Sequence, residues 1–157
     1  MQRKLAKIGC TFEPAPRCQS LFTPAEEGGF VVTFPDLEGA VTQGDNELDA
    51  REMARDAVIT MLAHWIRQGA PIPLSSHPRG RHYRMIELPA IVAAKTQLYL
   101  AFRASGLTKT ALAQKLRIPK TTVDRLFDFR NHSRLDQLEA AFTALGKRIS
   151  VEVRDAA

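Results

Sequence analysis

The chain has 157 residues, 45% hydrophobic and 25% charged, with a formal net charge of +5. That is ordinary globular usage, so disorder and low complexity are excluded, and the length suits one medium domain or two small ones. No apolar run nears the roughly 20 residues of a membrane span, residues 1–17 (MQRKLAKIGCTFEPAPR) lack the apolar core of a secretory signal, and Cys10 and Cys18 make no disulfide framework.

The expected compartment is therefore the reducing cytoplasm. Residues 1–17 show no clean period, carry Pro14 and Pro16, and are expected to be a poorly ordered extension. Cys18–Pro24 (CQSLFTP) reads as a short strand stopped by Pro24, with AEEGG as the turn. In 30–34 (FVVTF), Phe30, Val32 and Phe34 share a face at period two, with β-branched residues between them, which predicts a strand. Pro35 ends it, DLEG turns the chain, and 40–44 (AVTQG) returns as a third strand.

Asn46 caps the next element, a helix, with Glu47 and Asp49 at the positive end of its dipole. Ala50, Met53, Ala54, Ala57, Met61, Leu62 and Trp65 recur at three and four and give it an apolar face, opposite Arg51, Arg55 and Asp56. Gly69 is its C-cap, and Pro71 and Pro73 forbid continuation. SSHPRGR is a loop, and 82–88 (HYRMIEL) a fourth strand. The first module thus reads β-β-β-α-β, a helix laid across one small sheet.

From Pro89 the pattern is helical. Ile91, Ala94, Leu98, Ala101 and Phe102 define a face that ends at Ser105 and Gly106. Thr108 caps a short helix through Leu116, RIP (117–119) makes a tight corner, and a second helix runs from about Pro119 to Phe127. Ser133 caps a further helix, with Asp136 in the capping-box position, a face of Leu135, Leu138, Phe142 and Leu145, and Gly146 closing it. In the tail Ile149, Val151 and Val153 alternate as a strand needing a mate, either its copy in a dimer or the first sheet. The expected fold class is α+β, with an extension over 1–17, a sheet module over 18–88 and a helical module with a terminal strand over 89–157.

Charge separates the two modules. Residues 18–88 hold six Lys/Arg against ten Asp/Glu, a net of −4, and residues 89–157 hold twelve against six, a net of +6. An acidic module joined to a basic one suggests two different partners.

Two short helices joined by a three-residue turn suit a DNA reader, a helix–turn–helix. The first helix braces against the backbone, and the second enters the major groove with its N-terminal residues facing base edges. Leu112, Ala113, Ile118, Val123 and Leu126 would be buried, Ala113 being small where the helices cross. Lys120, Thr121, Thr122, Asp124 and Arg125 would be exposed, with Lys120, Thr121 and Arg125 aimed at bases or phosphates. Lys109, Lys115, Arg117, Arg130 and Arg134 would grip phosphate. The motif departs from habit twice. Arg117 stands where the turn usually carries Gly, a position that often wants positive φ. Pro119 stands where a Ser or Thr cap is usual, though Pro suits a first helical turn.

A catalytic reading needs a cluster. Asp36, Glu38, Asp45, Glu47 and Asp49 are the only dense carboxylates, and converging acids hold Mg²⁺ in phosphodiester chemistry. Turn and cap duties already account for them, so no metal site and no cofactor are expected. His64, beside Trp65, reads as an ordinary helix histidine, and the spacing of His77 and His82 is a weak metal signal. No phosphate-cradling loop, nucleophile elbow or zinc pattern is present, so an enzyme is not expected.

FTPAEEGGFVVTFPDLEGAVTQGDN (22–46), the GAPIPLSS after the long helix, LPAIVAAKTQLYLAF and SRLDQLEAAFTALGKRISVEV together resemble the HicB antitoxin family of HicA–HicB toxin–antitoxin pairs. The resemblance runs from about Cys18 onward. It implies a partial ribonuclease-H-like fold without catalytic residues, which binds and masks a small basic mRNA-cleaving HicA-type toxin. It also implies dimers or tetramers that repress their own operon by binding operator double-stranded DNA through the C-terminal module. An acidic sheet is a reasonable decoy for a protein built to bind RNA, and opposite charge speeds encounter. The expected toxin contacts are Asp36, Glu38, Asp45 and Glu47, with Phe34 and Leu37 as apolar neighbours. The alternative is a free-standing transcriptional regulator whose N-terminal sheet senses a small ligand.

Overall fold

The computed structural model describes residues 18–73 and 80–151. The 1–17 extension with Cys10, most of the SSHPRGR loop with His77, and Val153 of the tail lie outside these.

Strands β1 (Cys18–Pro24), β2 (Phe30–Thr33), β3 (Val41–Gly44) and β4 (Tyr83–Ile86) form one antiparallel sheet in the order β3-β2-β1-β4. Phe22 lies opposite Val32 and Cys18 opposite Ile86, so the period of two puts Phe22, Val32 and Ile86 on one face. All three are buried. Ser20 falls on the same face, and its hydroxyl satisfies itself by donating to the Arg84 carbonyl at 3.2 Å.

Helix α1 (Glu47–Gln68) covers that face. Asn46 Oδ1 accepts from the N–H groups of Leu48 and Asp49, both at 3.0 Å, which starts the helix as the sequence predicts. Gly69, in the left-handed region at φ 65°, ends it. The buried stripe is Ala50, Ala54, Val58, Leu62 and Ile66. The expected face is corrected: Met53 is 39% exposed, and Ala57, Met61 and Trp65 flank the core rather than fill it. Two adjacent apolar stripes compete here. Both contain Ala50, and the one that continues from it in steps of four is buried, with Ala50 itself set against Gly44 of β3.

The second core belongs to α2 (Ala90–Ser105), α3 (Lys109–Leu116), α4 (Lys120–Phe127) and α5 (Leu135–Ala144). Helix α2 is central, packing on α4, α5 and α1, so it buries more than one stripe. Its expected face is corrected accordingly. Ile91 is exposed and Ala94 half-buried, while Val92, Ala93, Lys95, Thr96 and Tyr99 join Leu98, Ala101 and Phe102 inside. Helix α5 starts one residue later than expected. Gln137, not Asp136, reaches back to the N–H of Arg134 (3.2 Å), and Leu135 is exposed.

Residues 147–151 form no strand, and the sheet takes no fifth strand among the described residues. Ile149 instead packs on the helical core, leaving Val151 exposed. The two cores share Ile72 and Phe129, and α1 reaches into the helical one through Ile66. The carbonyls released at the end of α1 are taken by α2: Tyr99 donates to Ala70 at 2.7 Å, and Arg103 donates to Gly69.

Candidate functional site

The α3–α4 pair is built by its turn. Thr108 Oγ1 accepts from Ala111 N at 3.1 Å and starts α3. Arg117 ends it at φ 54°, ψ 41°, the only non-glycine at positive φ among the described residues. Its N–H donates to Gln114 and that of Ile118 to Ala113, both at 3.1 Å, so the turn closes on the last carbonyls of α3. Leu112, Ala113, Val123 and Leu126 are buried between the helices, and Ile118 packs at their edge. Pro119 caps α4 through its backbone alone, its carbonyl accepting from Thr122 at 2.9 Å. With no side chain over them, the first N–H groups of α4 stay open to solvent or to an anion.

The strain at Arg117 gives a prediction. A left-handed conformation disfavours an L-residue by roughly 1–2 kcal/mol, part of which glycine loses again through its unfolded-state freedom. Arg117→Gly should melt no lower than the parent and up to about 1 kcal/mol more stable. If its guanidinium grips phosphate, the variant should also bind operator several-fold more weakly, with a salt slope shallower by about 1. Thermal melts and salt-titrated binding check both halves. A destabilised variant would mean that the side chain, not the turn, holds α3 and α4 together.

The cations of this module divide into two sets. Lys120, Thr121, Asp124 and Arg125 are exposed and Thr122 half-buried on α4, and Lys120 and Arg125 have no ion-pair partner among the described residues. Arg117 is likewise exposed and unpaired. The others are engaged. Lys109 Nζ lies 2.7 Å from Asp124 Oδ1 and 5.8 Å from the centre of the Phe127 ring, so it ties α3 to α4. Lys115 donates to the Ala144 carbonyl at the end of α5 (3.2 Å). Arg134 pairs with Asp136 at 2.9 Å. Arg130 pairs with Asp128 at 2.8 Å and also donates its backbone N–H, which holds the Asp128 carboxyl down at about 2. Sequence order hides this sorting, because the Lys109–Asp124 partners sit on different helices.

At the acidic corner the two expected apolar members lie inside. Phe34 and Leu37 are each only 4% exposed. They anchor the β2–β3 turn in the core, Leu37 N donating to Phe34 O at 3.2 Å. The apolar groups that do face outward are Val41 (63% exposed) and Leu48 (70%), on and beside the open edge strand β3. The register holds the signal that finds Val41. It pairs with Thr33, which puts it out of phase with the buried Phe22 and Val32.

Glu38 and Asp45 are exposed and Asp36 half-buried. Glu47 is already partnered, at 3.0 Å from Arg84 Nε and 2.9 Å from Arg51 Nη2, and these two cations, Arg84 first, hold its carboxyl below the usual range. Asp49 accepts the Asp45 N–H at 2.9 Å. Glu47 and Asp49 are thus engaged at the helix start, and among the described residues no three His, Cys, Asp or Glu side chains group to hold a metal ion. Burial, then the charge of Asp36, pushes the Cys18 thiol up to about 11, which disfavours the reactive thiolate. A cleft of about 210 Å³ lies between the α3–α4 turn and α5, lined by Leu116, Ile118, Thr122, Leu126, Asp136, Gln137 and Ala140.

No helix among the described residues is long and apolar enough to cross a membrane. Residues 20–97 match the model of a HicB-like antitoxin family of bacterial toxin–antitoxin systems. Antitoxin HicB of Escherichia coli (strain K12) is 39% identical over 129 residues, covering 82% of this chain and 93% of that protein. Antitoxin HicB 1 of Photorhabdus laumondii is 37% identical over 130 residues, covering 83% and 82% respectively. A chain of a solved HicA3 and HicB3 toxin–antitoxin complex is 21% identical at a TM-score of 0.37, covering 46% of this chain and 98% of its own. The chain therefore belongs to the HicB antitoxin family, a family of non-enzymatic regulatory proteins.

Proposed function

We propose that this antitoxin works with two faces, as a muzzle for a small basic mRNA-cleaving HicA-type toxin and as a repressor of its own operon in the cytoplasm. Its sheet module, 18–88, is the partial ribonuclease-H-like part, and 89–157 carries the helix–turn–helix formed by α3 and α4. The observation that carries the DNA half is the sorting of cations. Among the described residues Lys120, Arg125 and Arg117 have no ion-pair partner around the start and outer side of α4, with Thr121 among them, while Lys109 and Asp124 brace the helix pair. Arg130 and Arg134 extend the phosphate grip, since surface pairs are weak and readily exchanged for phosphate.

For the toxin, the contact surface is the acidic corner: Asp36, Glu38, Asp45 and Glu47 around the open edge of β3, with Val41 and Leu48 as its apolar part. Self-association into a homodimer or tetramer, through the tail at 149–153, completes the repressor, because paired half-sites need paired readers. The ligand-sensing alternative gains nothing from the cleft, which lies outside the sheet module and is below the roughly 300 Å³ of a small-molecule pocket.

The test is to purify the tagged chain from its native cells at moderate salt and identify what accompanies it in near-equal amount. The expected companion is a small basic protein encoded next to it, whose RNA cleavage stops when the chain is added back. Operator DNA should shift with the chain alone. A chain that comes down without such a protein, yet binds its promoter, would end the antitoxin half of the proposal.

A further inference from the structure

Lys95, on α2, is fully buried and stands apart from both proposed binding surfaces. An ammonium out of water is costly unless every donor is met. Here all three are: Nζ donates to the carbonyls of Asn131 at 2.6 Å, Asp128 at 2.7 Å and Arg125 at 3.1 Å. These acceptors are not scattered. Arg125 O lies at the negative pole of α4 and also accepts from the N–H of Asp128, the C-cap, at 3.3 Å, and Asn131 closes the turn that follows by donating to Asp128 O. Burial lowers the Lys95 pKa, and the charge of Asp128 opposes that.

A methionine would fill the same space without the desolvation penalty, so packing alone does not account for an ammonium at this position. What the ammonium adds is geometry. It joins three points of one seven-residue stretch to the central helix. At one end of the stretch is Arg125, exposed and with no ion-pair partner among the described residues, and near the other is Arg130, held by Asp128.

We propose that Lys95 is the positioning residue of operator recognition: by clamping 125–131 from inside, it fixes the distance between the base-reading Arg125 and the phosphate-gripping Arg130. The inference rests on α4 being the DNA reader. Lys95 itself, with no exposed surface, touches no DNA.

Lys95→Met and Lys95→Gln in the full chain test it, the second keeping two neutral donors in case the first does not fold. Operator affinity is measured with each variant alone and combined with Arg130→Ala, and separately with Lys120→Ala at the opposite end of α4. Lys95→Met should weaken operator binding on the order of tenfold, as for residues coupled through one network. In that background Arg130→Ala should cost little more, whereas Lys120→Ala should cost its full wild-type amount. Toxin binding should be unchanged.

Wild-type affinity in both Lys95 variants overturns the proposal. So does a loss that adds in full to Arg130→Ala as it does to Lys120→Ala, which marks general destabilisation, and so does failure of both variants to fold. If the parent chain itself does not bind operator, the DNA-reading proposal falls first and this one with it.

Discussion

Gly44→Ala is expected to destabilise the chain by about 3 kcal/mol, the upper end of what overpacking a filled interior costs. A Cβ at Gly44 would stand 2.3 Å from the backbone nitrogen of Ala50 and 2.5 Å from its Cα. Both neighbours are main chain, in the first turns of α1, so no rotamer change relieves the clash. Either β3 leaves α1 or the helix start shifts and Asn46 loses its cap. For a chain of this size, 3 kcal/mol lowers the melting midpoint by roughly 6–12 °C.

Gly39→Ala is the control, having a left-handed φ of 80° but open space around the added carbon. It should cost only the conformational penalty, roughly 1–2 kcal/mol. Gly29→Ala should resemble Gly44→Ala, since its Cβ would stand 2.4 Å from the Gly44 carbonyl oxygen. Thermal melts of the three variants settle it. A Gly44→Ala protein as stable as the Gly39→Ala one would mean that β3 and α1 are not in backbone contact. The proposed toxin surface would be tied to this contact, because Asp45, Val41 and Leu48 all stand on the junction that Gly44 holds closed.

These glycines also show what was legible in the sequence. GGFVVTFPDLEGAVTQGDN displays its strands by β-branched alternation and its turns by Gly and Pro, and Asn46 announces the helix by its side-chain acceptor. Those signals are local, so they survive reading in one dimension. The turn at Arg117 was legible for the same reason, since the position itself demands positive φ. The faces of the helices were less so. A helix such as α1 carries two neighbouring apolar stripes, and which of them is buried depends on the elements it packs against. Phe34 shares its strand face with the buried Val32, as its period shows, whereas Leu37, flanked by acids in the turn, gives no such signal of its burial.

Lys95 was invisible. Periodicity counts a lysine as polar, and only the tertiary arrangement brings three carbonyls, 30 to 36 residues away in the chain, around its ammonium. At the candidate sites the residue types could be read directly. Which charges remained free could not, because ion pairs such as Lys109–Asp124 are set by the packing of one helix on the next.

The second large effect follows from that sorting. Lys120→Ala combined with Arg125→Ala should weaken operator binding on the order of a hundredfold at moderate salt while leaving the fold and toxin binding intact. Both side chains are exposed and have no ion-pair partner among the described residues, so their removal leaves no buried group unsatisfied. Their contributions should differ in kind. Lys120 sits in the first turn of α4, where the free N–H groups already favour an anion. Its loss should weaken all sequences alike and reduce the salt slope by about 1. Arg125, one turn on, has the fork that matches a guanine edge, and its loss should cost roughly 1–3 kcal/mol and relax specificity at one base position.

Asp124, between them, is neutralised by Lys109. Removing Lys109 instead should therefore expose a carboxylate to the phosphates and weaken binding through repulsion. Salt-titrated binding to operator and to scrambled DNA separates the terms. Equal losses on both DNAs for Arg125→Ala would show that it grips backbone rather than base. Unchanged affinity in the double variant would move the DNA-reading surface off α4 altogether.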